Sequence, residues 1–266
     1  MSWWEAAILG VVQGVTEFLP VSSSAHLVLG QALLGVRSPG VVYEAAVHLA
    51  TLVAVLWVYR RRVVELTVGI ARGDSEAWGY VGLLALASVP AGVVGLWLRE
   101  PIEATFERPV VAAGLLLVTG LLVASIRRTA GTAREERPGV GGALWIGFAQ
   151  AAAIMPGISR SGSTVAAGVW RGVEPARMAE FSFLLSVPAV GGAALLQMGP
   201  GQMGLVRSLA PELAVGFAAA AVSGVLAIHL FVRALEAGSF HRFAYYCWIV
   251  GGGYLLAAWL WPGLRG

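Results

Sequence analysis

Two long apolar regions of this chain are interrupted in the same way, and nothing else in the sequence limits the fold so tightly. Residues 5–35 and 142–172 are apolar at both ends and break in the middle at a proline followed by serines. The first reads GVVQGVTEFLPVSSSAHLVLG from Gly10 to Gly30, the second GFAQAAAIMPGISRSGSTVAAG from Gly147 to Gly168. Proline removes a backbone donor and clashes with the preceding turn, so a helix must stop near Pro20 and near Pro156. The half-segments are about 10–14 residues long, short of the roughly 20 that cross a bilayer. Each region therefore reads as a re-entrant helix pair that dips into the membrane and returns. Broken backbone at that depth is tolerated only where it lines a cavity or is buried in protein.

Six further stretches are long and apolar enough to span: roughly 41–59, 78–98, 109–126, 178–198, 212–235 and 243–261. Barrel strands would be about 10 residues long and strictly alternating. These runs are twice that length without alternation, so they are helices. Only 12% of the 266 residues are charged and 58% are hydrophobic, whereas a soluble domain carries about a quarter charged. That excludes a soluble enzyme, and the apolar surface to be hidden excludes disorder. All 18 basic residues are arginine and fall in short loops between apolar stretches. They form no basic face, which argues against nucleic acid as a partner. The single cysteine, Cys247, allows no internal disulfide and no cysteine metal cluster. The start, MSWWEAAILGVVQG, has no basic leader and no small-residue cleavage site, so a cleaved signal peptide is not expected.

A re-entrant pair followed by three spanning helices occurs twice. Three is odd, so the second copy enters from the opposite side. The expected fold is an all-α polytopic integral membrane protein: six spanning helices plus two re-entrant helix pairs, arranged as an inverted-topology repeat. It is one membrane domain over 1–266, with halves at about 1–126 and 142–262 and a cytoplasmic loop, 127–141, between them. A site is expected near the midplane, where the broken segments meet. If 41–59 ends in the cytoplasm at Arg60, Arg61 and Arg62, the inside segments also hold Arg72, Arg127, Arg128, Arg134, Arg137, Arg171, Arg177, Arg233 and Arg242. That makes twelve, against Arg37, Arg99, Arg108, Arg207 and Arg265 outside, with Arg160 in the second break left out. The positive-inside rule supports this orientation. Both termini and the mouth of the first pair then face outward.

Gln13 and Glu17 are four apart and share one helix face. A carboxylate within a membrane segment is a functional hypothesis by default. In Pro20-Val21-Ser22-Ser23-Ser24-Ala25-His26, hydroxyls after a helix break can cap a new helix. Its N-terminus favours phosphate. Ser23 and His26, three apart, are placed for a nucleophile and a base to meet. In Pro156-Gly157-Ile158-Ser159-Arg160-Ser161-Gly162-Ser163-Thr164, Gly157 and Gly162 let backbone approach a ligand. Successive N–H groups there make an anion nest, and a guanidinium suits bidentate phosphate binding. Arg160 at this depth needs a negative partner, and Glu17 alone would satisfy the charge. Glu44 and His48 are expected to pair with each other rather than orient the site. Glu180 is expected at the interface. Pro90 and Pro188 are expected to kink their helices and shape a lipid-accessible groove. His229 and His241 are expected to be structural.

At these two motifs the chain resembles the bacterial undecaprenyl-diphosphatase family, also called bacitracin-resistance proteins. The family's signatures are (E/Q)-x-x-x-E leading into P-V-S-S-x-x-H, and P-G-x-S-R-S-x-x-T. Here they run from Gln13 to Glu17, from Pro20 to His26 and from Pro156 to Thr164. Phe181 to Ala193 and Gly216 to Leu235 also look like its later helices. The resemblance implies hydrolysis of undecaprenyl diphosphate to undecaprenyl phosphate at the outer face of the bacterial inner membrane, recycling the carrier lipid for peptidoglycan synthesis. It implies Glu17, Ser23, His26 and Arg160 as catalytic residues. Ser22, Ser24, Gly157, Ser159, Arg160, Ser161, Gly162 and Thr164 would hold phosphate. It also implies a divalent cation, Mg²⁺ or Ca²⁺, on Glu17 and Gln13. Many members have glutamate at the position of Gln13, so one carboxylate fewer would weaken that ion's hold. The expected mechanism has Arg160 and the nest neutralise the terminal phosphate. Ser23 or His26 then attacks phosphorus or activates water, and Glu17 orients His26, binds metal, or both. The expected partners are a polyprenyl diphosphate lipid, the bilayer and a second copy in a homodimer. The rival reading is a flippase of undecaprenyl phosphate using the same pocket.

Overall fold

The computed structural model describes residues 1–34, 41–129, 131–197 and 203–264. Helix α1 (Trp3–Phe18) starts behind a capping box in which the side chains of Ser2 and Glu5 accept each other's backbone N–H. It ends at Leu19, whose backbone turns extended just before Pro20, and α2 (Ser23–Leu34) leads away. The second break repeats the device between α8 (Val140–Ala152) and α9 (Arg160–Trp170). At 1.5 Å per residue the four short helices reach only about 17–24 Å, less than the ~30 Å hydrocarbon core. Backbone bonds from Arg134 and Glu135 to the Gly172 carbonyl close the base of the second pair.

Between and after the breaks run α3 (Val41–Val58), α5 (Ser75–Trp97), α7 (Pro109–Thr129), α10 (Pro175–Gln197), α12 (Ala210–Glu236) and α13 (Phe243–Leu260). These six carry the six expected stretches. Of the described helices, α5, α7, α12 and the run Phe240–Leu260 are each long and apolar enough to cross a membrane. Helix α3 makes a fifth span when joined to α4 (Arg60–Ala71), at a bend of 77°. With its 23 residues, α10 has the length, and residue 198 of its expected stretch lies outside the described residues. Arg37 and Arg265 of the arginine count also lie outside them. Two other short helices, α6 (Arg99–Phe106) and α11 (Met203–Ser208), were not anticipated. Both sit, like α4, where a polar turn joins two spans. Pro90 and Pro188 lie inside α5 and α10. Exposed tryptophans mark helix ends, with Trp3, Trp57, Trp97 and Trp261 all more than half exposed. Tryptophan favours the membrane–water boundary.

The packing pairs follow a pattern. Helix α1 lies against α12 and α8 against α5; α3 lies against α12 and α10 against α5; α7 meets α13 and α3 meets α10. Exchanging α1, α3, α5 and α7 for α8, α10, α12 and α13 swaps the first two pairs with each other, swaps the next two likewise, and maps α7–α13 and α3–α10 onto themselves. Gly10 and Gly14 let α1 and α12 approach closely: a Cβ at either would strike α12, at the Gly216 carbonyl or the Ser223 hydroxyl. Small residues spaced by four are a usual contact in lipid. Beneath the breaks an edge-on aromatic chain, Phe18–Phe183–Phe231–Phe240, has centroid spacings of 5.4, 4.9 and 5.0 Å. It joins α1, α10 and α12 into a floor for the site.

Candidate active site

Glu17 lies in the last turn of α1, and Arg160 opens α9 behind the N-cap Ser159. Glu17 Oε1 accepts from Arg160 Nη2 at 2.8 Å. Its other oxygen, Oε2, accepts from Ser23 Oγ at 2.8 Å and from Gln13 Nε2 at 3.2 Å. The Glu17 side chain is 9% exposed and that of Arg160 14%. Two charges at this depth are costly unless each finds a partner and further hydrogen bonds. Here they join the two breaks. Arg160 also donates to the Ser182 carbonyl of α10 at 3.4 Å. The first break thus brings carboxylate and hydroxyl, the second a guanidinium.

Two of the remaining predicted hydroxyls, Ser22 and Ser161, hold the two breaks together. Ser22 Oγ accepts from Gly157 N–H at 3.2 Å and from Ala25 N–H at 3.3 Å, and lies 3.1 Å from Ser24 Oγ. Ser161 Oγ donates to the Leu19 carbonyl at 3.4 Å. Ser159 Oγ caps α9 at Gly162 N–H, 3.2 Å, and a Cβ on Gly162 would press on Pro20. Thr164 Oγ1 shares a hydrogen of 2.6 Å with Ser182 Oγ. Thr119 of α7 ties the second break down: it donates to the Gly157 carbonyl at 2.7 Å and accepts from Ser159 N–H at 2.9 Å. The N–H groups of Arg160 and Ser161 are first-turn donors without intrahelical acceptors.

The expectation that His26 meets Ser23 needs correction. His26 does not meet Ser23 or Glu17 through a hydrogen bond. Its Nδ1 bonds the Ser22 carbonyl at 2.8 Å and its Nε2 bonds Tyr246 Oη at 2.7 Å. The two rings stack, 8° from parallel with centroids 5.6 Å apart. Spacing of three put Ser23 and His26 on one helix face, but Tyr246 from α13 draws the imidazole away. His48 does bond Glu44, but through the backbone carbonyl at 2.7 Å, and its Nε2 is turned towards Glu17 Oε2, 3.9 Å away. Glu180 is more engaged than an interfacial residue: it pairs with Arg62 Nε at 3.1 Å and accepts from Tyr80 Oη at 3.3 Å. His229 and His241 each bond a carbonyl of their own turn.

Thr119, Ser182 and Tyr246 escaped the sequence reading. Thr119 is a hydroxyl amid the apolar residues of α7, which is a usable signal. Tyr246 has none, because nothing local marks it as the partner of a residue 220 positions earlier. A cavity of about 450 Å³ lies against the first break, lined by Thr16, Leu19, Val21, Arg242 and Tyr246 among others. Glu17, Ser23 and Arg160 are not among its lining residues. The His26–Tyr246 contact has a measurable consequence. Tyr246→Phe keeps the stacked ring and removes one hydrogen bond, worth about 1 kcal/mol or roughly fivefold in rate if it positions His26. His26→Ala with Tyr246→Phe should then be no worse than His26→Ala alone, because the pair acts as a unit. Additive losses in phosphate release would show that the two act separately.

A family model described as "Bacitracin resistance protein BacA" matches residues 6–253. A protein of Desulforudis audaxviator named undecaprenyl-diphosphatase is 41% identical, covering 94% of this chain and 96% of that protein. One of the same name from Desulfosudis oleivorans is 39% identical over 98% of both chains. A third, from Salinibacter ruber, is 38% identical over 98% of this chain and 100% of its own.

Proposed function

The chain belongs to the bacitracin resistance protein BacA family, and on that premise we propose that the Glu17–Ser23–Arg160 cluster removes the terminal phosphate of undecaprenyl diphosphate. The chain is a membrane undecaprenyl-diphosphatase. The observation that carries the site assignment is the pair of bonds on one carboxylate: Arg160 on Oε1 and Ser23 Oγ on Oε2, both at 2.8 Å. A guanidinium and a hydroxyl are thereby set either side of one acceptor, between the N-termini of α2 and α9.

A phosphate matches the fork of Arg160 as well as a carboxylate does. The α9 first-turn N–H groups add donors, and the buried setting makes each worth more than in water. Ser23 attacks phosphorus: its O–H proton passes to Glu17 Oε2, the Oγ–P bond forms, and the bridging P–O bond breaks to release undecaprenyl phosphate. Water then cleaves the phosphoserine, releasing inorganic phosphate as Ser23 recovers its proton. His26 supports this geometry by anchoring the first turn of α2 to α13.

A divalent cation, Mg²⁺ or Ca²⁺, is proposed for the same pocket. Gln13 Oε1 is buried without a partner, next to Glu17, so these two residues offer oxygen. No group of three or more His, Cys, Asp and Glu side chains clusters among the described residues. The diphosphate must therefore supply further oxygens, which is how Mg²⁺ is usually held. When bound, such an ion neutralises phosphoryl charge.

The packing exchange between the two halves and the arginine distribution support an inverted repeat in a bacterial inner membrane, with the pocket opening to the periplasmic side. The test is phosphate release from undecaprenyl diphosphate by purified protein in detergent, with Mg²⁺, with Ca²⁺ and with chelator. Ser23→Ala and Glu17→Gln are expected to lose about 10²–10⁴-fold in kcat. Acid-quenched wild type should carry phosphate on Ser23. Diphosphate added outside vesicles should be hydrolysed in right-side-out but not in inverted ones. A folded wild type that releases no phosphate would overturn the reading.

A further inference from the structure

The cavity beside the first break has no part in the steps above. It is a groove of about 450 Å³, within the usual range for a ligand pocket. Its walls come in pairs four residues apart, the spacing of one helix face. Val15 and Leu19 close α1, Leu230 and Ala234 stand on α12, and Arg242 and Tyr246 open α13. Leu19, Val21 and Ala234 are buried and make the floor. Leu230 and Tyr246 are 52% and 43% exposed and make the rim. Protein closes the groove on one side, and lipid faces it on the other.

The two ends of the groove differ in polarity. Leu230 lies about 9 Å inside the end of α12 at Glu236, which is hydrocarbon depth. Ser239 and Arg242 lie beyond that helix end, at headgroup level. Arg242 is the one charged residue lining the groove, and it has no ion-pair partner among the described residues. A lipid presents an anion at headgroup level with an unbroken apolar chain below it, and so matches this gradient. A soluble anion would leave the apolar floor uncovered.

We propose that this groove binds one anionic glycerophospholipid, with its phosphate at Arg242 and one acyl chain against Leu19, Val21 and Leu230. A guanidinium matches a phosphate with two parallel bonds. Ser239 Oγ donates to the Ala234 carbonyl at 3.3 Å, so its lone pairs remain for a headgroup hydroxyl. Glu17, Ser23 and Arg160 do not line the groove, which makes this a second anion position apart from the diphosphate's. Tyr246 connects the two. Its ring forms the rim, and its Oη holds His26 Nε2 at 2.7 Å. A seated chain therefore packs the tyrosine that anchors α2.

The experiment places the full-length protein in bilayers of phosphatidylglycerol and phosphatidylcholine in equal amounts. The protein is then extracted into detergent, and native mass spectrometry counts the lipids it keeps. One phosphatidylglycerol per chain should outlast the phosphatidylcholine. Arg242→Gln should weaken its retention about 5–10-fold, the factor for one interfacial arginine. Arg233→Gln is the control. Arg233 is an exposed arginine near the same end of α12 but does not line the groove, and its loss should change nothing. Ala234→Phe fills the floor and should expel the lipid with Arg242 intact. Unchanged elution and melting exclude misfolding, and the contrast between the two arginine variants decides the matter even if Ala234→Phe fails to fold. Equal retention of the two lipids, or equal losses in Arg233→Gln and Arg242→Gln, would overturn the proposal, because charge would then act without the groove. Displacement of the kept phosphatidylglycerol by an equal amount of undecaprenyl phosphate would also overturn it, and would give the groove to the substrate's prenyl chain.

Discussion

Arg160→Ala is expected to lower phosphate release by about 10³-fold or more, the usual range for an arginine that stabilises transferring phosphoryl charge. The same change should destabilise the protein by about 3–5 kcal/mol, because it leaves a buried carboxylate without its partner. Glu17 is 9% exposed and has its Oε1 on Arg160 alone. The two losses are separable. Adding Glu17→Gln to Arg160→Ala removes the stranded charge, so thermal stability in detergent should recover while activity does not. Arg160→Lys keeps the charge but loses the fork that spans Glu17 and the Ser182 carbonyl. It should melt near wild type and release phosphate at an intermediate rate. If the double variant regains activity along with stability, neither Arg160 nor Glu17 acts in the chemistry and the phosphate is held elsewhere.

What the sequence made legible follows from rules that act locally. Proline stops a helix wherever it falls, so the breaks at Pro20 and Pro156 and the four short helices around them were readable. An arginine at membrane depth needs an anion, and Glu17 was the one carboxylate in the companion motif, so their contact was readable too. Spacing also gave the Gln13–Glu17 bond, four residues apart on one face. What spacing cannot give is which way a side chain turns when two neighbours compete for it. Ser23 and His26 share a face, but Ser23 bonds Glu17 while His26 is taken by Tyr246. The serines of both motifs looked like phosphate donors. Several instead meet the backbone demands of the breaks, because each broken turn leaves carbonyls and N–H groups that water cannot reach. The two motifs also differ in chemistry despite their common pattern. Gln13 is followed four residues later by Glu17, whereas Gln150 is followed by Ile154 and neither of its amide atoms has a partner. The halves share a framework, and only together do they supply both carboxylate and guanidinium.

Gly157→Ala is expected to remove most of the folded protein. Gly157 sits at φ 108°, a backbone conformation that L side chains rarely adopt and that costs on the order of 1–3 kcal/mol. Its surroundings forbid the methyl group as well. A Cβ would run into the Ala112 carbonyl oxygen and come within 2.6 Å of Leu115 Cβ, both on α7. Backbone and Cβ atoms cannot swing aside, so overpacking adds roughly 1–3 kcal/mol more. The position has no slack to relieve either strain. Gly157 N–H is held by Ser22 Oγ at 3.2 Å and its carbonyl by Thr119 Oγ1 at 2.7 Å. Any shift breaks one of the bonds that lock the two breaks, leaving a buried polar group unpaired at about 1–3 kcal/mol. Together these approach the whole stability of a typical domain, about 5–15 kcal/mol. Gly30→Ala is the control: it lies within α2, with open space where the Cβ would go, and should be neutral or slightly stabilising. The measurement is the yield of monodisperse protein and its melting temperature in detergent. A Gly157→Ala protein that melts like wild type yet releases no phosphate would mean that the second break can move without unfolding the bundle. Its glycine would then serve the approaching diphosphate rather than the fold.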